Sequence, residues 1–254
     1  MINIEPIKAF SDNYIWLLTT NEGSIVIDPG ESVDLLKIIK EKNLNLKAIL
    51  ITHHHFDHTG GIEEILADKS IDVYGPNNNI DTINIKVSNE SKISLLGIEF
   101  EVIEIPGHTL DHIAYYAKND GHPILFCGDT LFAGGCGRVF EGTFEQMHES
   151  LSTLKKLPLN TKIYCGHEYT ESNLRFAKSV EPLNQAIISR YNDVVKLNKQ
   201  GIPTLPSTIE IELETNPFLR VGLKSIQQEI SKKFNTPKND KDIFAAIRQW
   251  KDNF

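Results

Sequence analysis

The sequence is poor in the features that would mark an exported, membrane-spanning or nucleic-acid-binding protein. It has only three cysteines, Cys127, Cys136 and Cys165. Three cannot all pair within one chain, and their spacing is not that of a zinc ribbon, so reduced thiols in a cytoplasmic setting are expected. Met1-Ile2-Asn3-Ile4-Glu5-Pro6 lacks a basic stretch followed by an apolar one, so no signal peptide is expected. No uninterrupted apolar run approaches the length of a bilayer span. Positive charge is also short: 26 Lys and Arg stand against 34 Asp and Glu, a formal net charge of -8. That balance argues against broad nucleic-acid binding and leaves room only for a local basic pocket. There is no internal repeat and no low-complexity segment. What remains is 254 residues, 40% hydrophobic and 24% charged, long enough for one large domain or two smaller ones. Nothing in the pattern demands more than a monomer.

The first two thirds alternate strands with helices. Ile2–Ile7, Tyr14–Leu18 and Ser24–Ile27 are strand-like, with Asn21-Glu22-Gly23 as a turn between the last two. Val33–Lys40 has helical amphipathicity and leads into the apolar run Ala48-Ile49-Leu50-Ile51, a strand–helix–strand step typical of an α/β layer. Strands dominate again from Ile71 to Phe126, with Ile98–Ile105 cleanly alternating. Thr143-Phe144-Glu145-Gln146 has capping-box spacing and opens a helix that should stop before Pro158; Lys162–Cys165 is a last short strand. From about Tyr169 the pattern turns helical. Pro182 suits a helix start and Gly201 its stop, with Leu183, Ile187, Ile188, Tyr191, Val194 and Val195 on one stripe. Further stripes are Leu223, Ile226, Ile230 and Phe234, then Ile243, Phe244, Ile247 and Trp250. An α/β domain over 1–168 followed by a helical domain over 169–254 is expected.

The chemistry centres on Thr52-His53-His54-His55-Phe56-Asp57-His58-Thr59-Gly60-Gly61. Three candidate imidazole ligands and a carboxylate crowd a strand end, where α/β sheets place their ligands. A lone histidine is usually a packed or surface residue, but this cluster has no packing role and loses solvation when buried. Nitrogen and oxygen donors without an adjacent thiolate suit zinc, iron or manganese. His108, Asp129 and His167 each follow a strand in a glycine-containing turn. The seven donors His53, His55, Asp57, His58, His108, Asp129 and His167 exceed what one ion needs, so two divalent metals sharing a carboxylate are expected. Asp129, isolated from the histidine run, is the expected bridge. His53, His55 and His108 fall to one metal, Asp57, His58 and His167 to the other. His54 and Phe56 are expected to face away as packing or support, and His112 to orient a ligand from outside the ligand set. His122 and His148 read as surface residues. The cysteines read as packing rather than nucleophiles. Asp28 either braces the metal loops or merely caps a turn.

Thr-His-His-His-Phe-Asp-His, Pro-Gly-His-Thr, Cys-Gly-Asp-Thr-Leu-Phe and Gly-His-Glu-Tyr together resemble the metallo-β-lactamase superfamily. Ser11–Tyr14, Gly135–Arg138, Phe140–Thr143, Tyr164–Thr170 and Asn216–Arg220 extend the resemblance, over essentially the whole chain, to the glyoxalase II (hydroxyacylglutathione hydrolase) family. The resemblance implies an αββα sandwich with a binuclear zinc or iron/zinc centre, followed by a small C-terminal helical domain that helps bind glutathione. It implies hydrolysis of S-2-hydroxyacylglutathione thioesters, principally S-D-lactoylglutathione, by a metal-bridging hydroxide, the second step of methylglyoxal detoxification. Asp57 and Asp129 would be catalytic, and Asp57 would also accept the hydroxide's proton. Positions matching Arg138, Phe140, Tyr169, Arg248 and Lys251 would meet the glutathione part. Arg248 and Lys251, three apart, would share a helix face, although by spacing alone a solvated face is the plainer reading. Phe140 replaces a tyrosine of the animal enzymes, which removes one hydroxyl from that pocket. The rival within the superfamily is a persulfide dioxygenase with a single iron; from another class, a metal-binding module without catalysis. A β-lactamase or metallo-RNase would leave the glutathione-type positions unexplained.

Overall fold

The computed structural model describes residues 2–67, 69–236 and 238–254. They gather into two compact units. The first takes in the chain up to Glu104 with Asp111–Gly128 and Tyr164–His167; the second comprises Ile105–Leu110, Asp129–Ile163 and Glu168–Phe254. Residues 105–110, 129–163 and 168 of the expected 1–168 domain therefore fall in the second unit.

In the first unit, β1 (Asn3–Ala9), β2 (Asn13–Thr20) and β3 (Gly23–Ile27) form an antiparallel set, with Asn3 opposite Thr19 and Trp16 opposite Ile27. Helix α1 (Val33–Glu41) then returns the chain so that β4 (Leu46–Leu50) pairs with β3 in parallel. The single turn α2 (Phe56–Thr59) and the short α3 (Ile62–Leu66) follow, and β5 (Asp72–Pro76) and β6 (Ile85–Val87) extend the parallel part. The apolar stripe of α1 (Leu35, Ile39) and that of α3 (Ile62, Ile65) bury against Ile7, Leu17, Val26, Ile49, Ile51 and Val73. Each such aliphatic side chain contributes about 2 kcal/mol by leaving water. Strands β7 (Lys92–Leu95), β8 (Ile98–Glu104), β9 (Ile113–Ala117) and β10 (Ile124–Gly128) form an antiparallel run in a second sheet. The two sheets meet through buried polar links. Tyr115 Oη donates to the Ile51 carbonyl at 2.8 Å and the Tyr74 carbonyl at 3.2 Å, and Trp16 Nε1 to the Cys165 carbonyl at 2.9 Å. Burial pushes the Tyr115 hydroxyl well above its usual range, so it keeps the proton it donates.

In the second unit, β11 (Leu131–Phe132) and β12 (Gly135–Cys136) make a tight ribbon before α4 (Phe144–Leu154). The expected capping box is present: Thr143 Oγ1 accepts from Gln146 N at 3.1 Å, and Gln146 Oε1 accepts from Thr143 N at 2.9 Å. Strand β13 (Lys162–Cys165) begins in this unit, and α5 (Thr170–Val180), α6 (Gln185–Lys199), β14 (Ser207–Thr208), α7 (Ile209–Thr215), α8 (Lys224–Phe234) and α9 (Asp240–Asp252) complete it. Leu174, Ala177, Ile187 and Val194 form the seam of α5 and α6. Helix α6 starts at Gln185 rather than Pro182, because the Asn184 side chain accepts from Ala186 N and Ile187 N and so supplies the cap. Leu183, expected on its buried stripe, is 86% exposed in consequence. Helix α7 matches none of the expected helical stripes. Its fully buried Glu212 accepts from Gly134 N, Arg190 Nη2, Ser207 Oγ and Asn216 Nδ2, which removes the cost of burying its charge.

Candidate metal centre

In the first unit the chain leaves the sheet after Leu50, and His55 stands as N-cap of the one-turn α2, which brings His53, His55, Asp57 and His58 into one turn of backbone. The His53 ring lies 4.8 Å from that of His55 and 4.2 Å from that of His58. Asp28, 4% exposed, sits beneath this turn with a left-handed backbone (φ 52). Its Oδ1 accepts from Thr52 N at 2.8 Å; its Oδ2 accepts from Thr52 Oγ1 at 2.8 Å and lies 3.0 Å from His58 Nδ1. With its proton given to Asp28, Thr52 Oγ1 is the acceptor 3.0 Å from His53 Nδ1. Asp28 thus braces the loop and is no mere turn cap. His167 Nδ1 lies 2.7 Å from Asp12 Oδ1. His53, His58 and His167 are each held at Nδ1 as the proton's donor, which leaves Nε2 with its lone pair for coordination.

The spacing of the remaining atoms fits. Asp57 Oδ2 is 3.7 Å from His58 Nε2 and 3.4 Å from His167 Nε2. Donors bound at about 2.0–2.2 Å around one tetrahedral ion sit roughly 3.3–3.6 Å apart. Asp57, His58 and His167 therefore form a group able to hold a divalent metal. Asn13 Nδ2 donates to Asp57 Oδ2 at 2.9 Å and fixes that carboxylate. His54 instead pairs with Asp111 at 2.9 Å, and Phe56 is 73% exposed rather than packed. His112 stacks on His53 at 4.5 Å with 14° between the planes, a support outside the ligand set. Gly128, at φ +45, leaves room for this: a Cβ there would lie 2.3 Å from Thr52 Oγ1 and 2.9 Å from the His112 ring.

In the second unit His108 and Asp129 come together, with 3.5 Å between His108 Nε2 and Asp129 Oδ2. His108 Nδ1 lies 2.7 Å from the Arg138 carbonyl. A carbonyl can only accept, so here too Nδ1 carries the proton and Nε2 keeps its lone pair. Gly137 permits the approach, since a Cβ there would meet the Asp129 carbonyl oxygen at 1.9 Å. Phe140 packs edge-on to the His108 ring at 5.2 Å while staying 61% exposed. The Tyr169 ring stands edge-on to Phe132 at 5.2 Å. Arg138 is exposed; its Nε donates to Asp252 Oδ1 at 3.3 Å. Arg248 is 4% exposed, with Nη1 donating to the Cys136 carbonyl at 2.8 Å and Nη2 to Asp252 Oδ1 at 3.0 Å. Lys251 sits over Phe176 with Nζ 5.4 Å from the ring centroid; burial, and then the nearby Arg248 charge, bring its ammonium down to about 8. All three cysteines are buried, and burial pushes the Cys136 thiol up, away from nucleophilic thiolate. His148, expected at the surface, is half-buried against Phe244, 5.5 Å between rings, because α4 packs on α9 there.

Asp12, Asn13, Thr52 and Asp252 escaped sequence reasoning as site residues. Asp12 and Asn13 lie in the Ser-Asp-Asn-Tyr string that carries the resemblance, the one available signal. Thr52 heads the histidine string, but its bond to Asp28, 24 residues away, leaves no local mark, and Asp252 meets Arg138 only across 114 residues.

The metallo-beta-lactamase superfamily matches residues 10–167, and the hydroxyacylglutathione hydrolase C-terminus matches 168–254. A protein named hydroxyacylglutathione hydrolase from Pseudomonas entomophila is 48% identical, and one of that name from Psychromonas ingrahamii 46%, each over 100% of both chains. A solved structure described as TTHA1623 in a di-iron-bound form is 25% identical, covers 85% of this chain and 100% of its own, and superposes with a TM-score of 0.60. The chain belongs to the hydroxyacylglutathione hydrolase family of the metallo-beta-lactamase superfamily.

Proposed function

We propose that this chain hydrolyses S-2-hydroxyacylglutathione thioesters, S-D-lactoylglutathione first among them, to glutathione and a 2-hydroxy acid, D-lactate from that substrate. The observation that carries the reading is the common tethering of His53, His58, His108 and His167 at Nδ1, which presets four Nε2 atoms for metal. The relatives' name supports the substrate class. His53, His55 and His108 would hold one divalent ion, Asp57, His58 and His167 the other, with Asp129 shared. Zinc is our first assignment, with iron or manganese as alternatives; the di-iron-bound neighbour supports a two-ion site.

When bound, such a pair of ions supplies a water acidic enough to ionise near neutral pH and polarises the thioester carbonyl. Asp57, with 39% of its side chain exposed, takes the proton of the attacking water. Arg138, Phe140, Tyr169, Arg248 and Lys251 receive the glutathione part, whose two carboxylates suit guanidinium and ammonium groups. A thiolate leaves readily, so the chain needs no strong general acid, and the buried cysteines take no part. We draw the domains at 1–168 and 169–254, a division supported by the junction of the two family matches at 167/168. We further propose a monomer working in the cytoplasm. Among the described residues no helix is long and apolar enough to cross a membrane.

The test is the anaerobic hydrolysis rate of S-D-lactoylglutathione by metal-loaded protein, beside a matched thioester lacking glutathione. Fast turnover of the first alone is expected. Equal rates would discard the glutathione pocket, and an oxygen requirement would turn the assignment to the dioxygenase.

A further inference from the structure

Two cationic side chains of the second unit, Arg138 and Arg248, share one carboxylate. Asp252 Oδ1 accepts from Arg138 Nε at 3.3 Å and from Arg248 Nη2 at 3.0 Å. The two arginines are unlike. Arg248 is buried beneath the Cys136 carbonyl and over the Phe218 ring, 5.1 Å from its centroid. Arg138 has 56% of its side chain exposed and hydrogen-bonds through Nε alone, so its two terminal nitrogens, the edge that grips a carboxylate, make no hydrogen bond among the described residues.

Asp252 breaks two local rules. It is the last residue of α9, where a negative charge opposes the helix dipole. It also follows Arg248 at i+4, the less favourable order for an ion pair on a helix. A residue chosen for helix stability alone would be neutral or basic, and departures of this kind gather at functional positions. Asp252 is also tied to the site by a continuous path. Arg138 is held at its side chain by Asp252, and at its main chain its carbonyl receives His108 Nδ1 at 2.7 Å.

We propose that Asp252 is a positioning residue for substrate recognition: by holding Arg138 at Nε, against the anchor of buried Arg248, it presents the free guanidinium edge to the anionic end of the substrate. The inference rests on the reading of the chain as a glutathione-thioester hydrolase. Without Asp252 the exposed Arg138 side chain regains its rotamer freedom, and that freedom must be lost again at each binding event.

The test is a double-mutant cycle on metal-loaded protein, with KM and kcat for S-D-lactoylglutathione, calorimetric binding of S-methylglutathione, and metal content measured for each variant. Asp252→Ala should raise KM about tenfold, the size of one lost charge-assisted contact, with kcat and metal content within about twofold of wild type. In an Arg138→Ala background the same substitution should change KM by less than about twofold. Equal rises in both backgrounds, or a fall in kcat or metal content with KM unchanged, would overturn the proposal and leave Asp252 a structural residue. Asp252→Asn, which keeps the shape and an acceptor oxygen, replaces Asp252→Ala if that variant does not fold; it should give a smaller KM rise, equally absent without Arg138. If wild type neither turns over the thioester nor binds S-methylglutathione, the functional reading itself fails. If wild type does both and Asp252 is silent, only this inference fails.

Discussion

The histidine turn of the first unit and the cationic end of α9 in the second solve opposite problems of orientation. In the turn, His53 and His58 are buried and both are steered from one carboxylate, Asp28, directly or through Thr52. The orientation of these two rings is thereby fixed, as coordination of an ion requires. Around the end of α9 the cations are graded: Arg248 is fixed by main-chain carbonyls, Lys251 is partly covered, and Arg138 is exposed, hydrogen-bonded at Nε to Asp252 and lying over the Phe140 ring, 6.0 Å from its centroid. A metal ligand gains from complete immobilisation, whereas a group that meets an incoming anion needs one end held and the other open. The difference explains why loss of a brace should be felt as metal loss in the first region and as weaker substrate binding in the second.

The strongest way to break this contrast is to remove a ligand. Asp129→Ala should lose metal and depress turnover by at least about three decades, several kcal/mol of charge stabilisation. A mutant with full metal content by elemental analysis and normal activity would rule out the shared carboxylate. The brace beneath the turn comes next. Asp28→Asn can still accept from Thr52 N but places an amide toward His58 Nδ1, so metal affinity, read by competition with a chelator, should fall about 10- to 100-fold. An unchanged affinity would mean that the His58 tautomer is set elsewhere. The smallest effect sharpens the picture of the cationic end. Lys251, brought down to about 8, is charged below that pH and neutral above it. Its attraction for a carboxylate is therefore present at pH 7 and lost as pH rises through 8. KM of wild type relative to Lys251→Gln should rise about threefold between pH 7 and 9.5, the range of a partly exposed ion pair; a constant ratio would remove Lys251 from the pocket.

Much of the scaffold is legible in the chain. The alternation of Ile98–Ile105 became β8, the capping box at Thr143 opened α4, and the stripes of Leu223–Phe234 and Ile243–Trp250 became α8 and α9. The misses have local causes. Pro182 looked like a helix start, but Asn184 offered a side-chain acceptor two residues later and won. Helix α7 was hidden because its buried Glu212 is satisfied largely from outside the helix, by Gly134, Arg190 and Ser207. His148 reads as a polar surface residue until α9 is seen to pack on α4 and cover it.

By itself the sequence singled out the candidate donors. Three histidines and an aspartate within six positions, with three more donors in glycine turns at strand ends, have no low-energy use except together, because burying them unpaired costs more than packing returns. The same string, with the tail motifs, carried the family. Tertiary structure alone decided how those donors point. Which ring nitrogen is left with its lone pair depends on Asp12, Asp28, Thr52 and the Arg138 carbonyl, and three of these four lie 30 or more residues from the histidines they orient. Hydrogen bonds act over about 3 Å whatever the separation along the chain, so a tautomer is set by neighbours in space, and those neighbours exist only once the chain has folded.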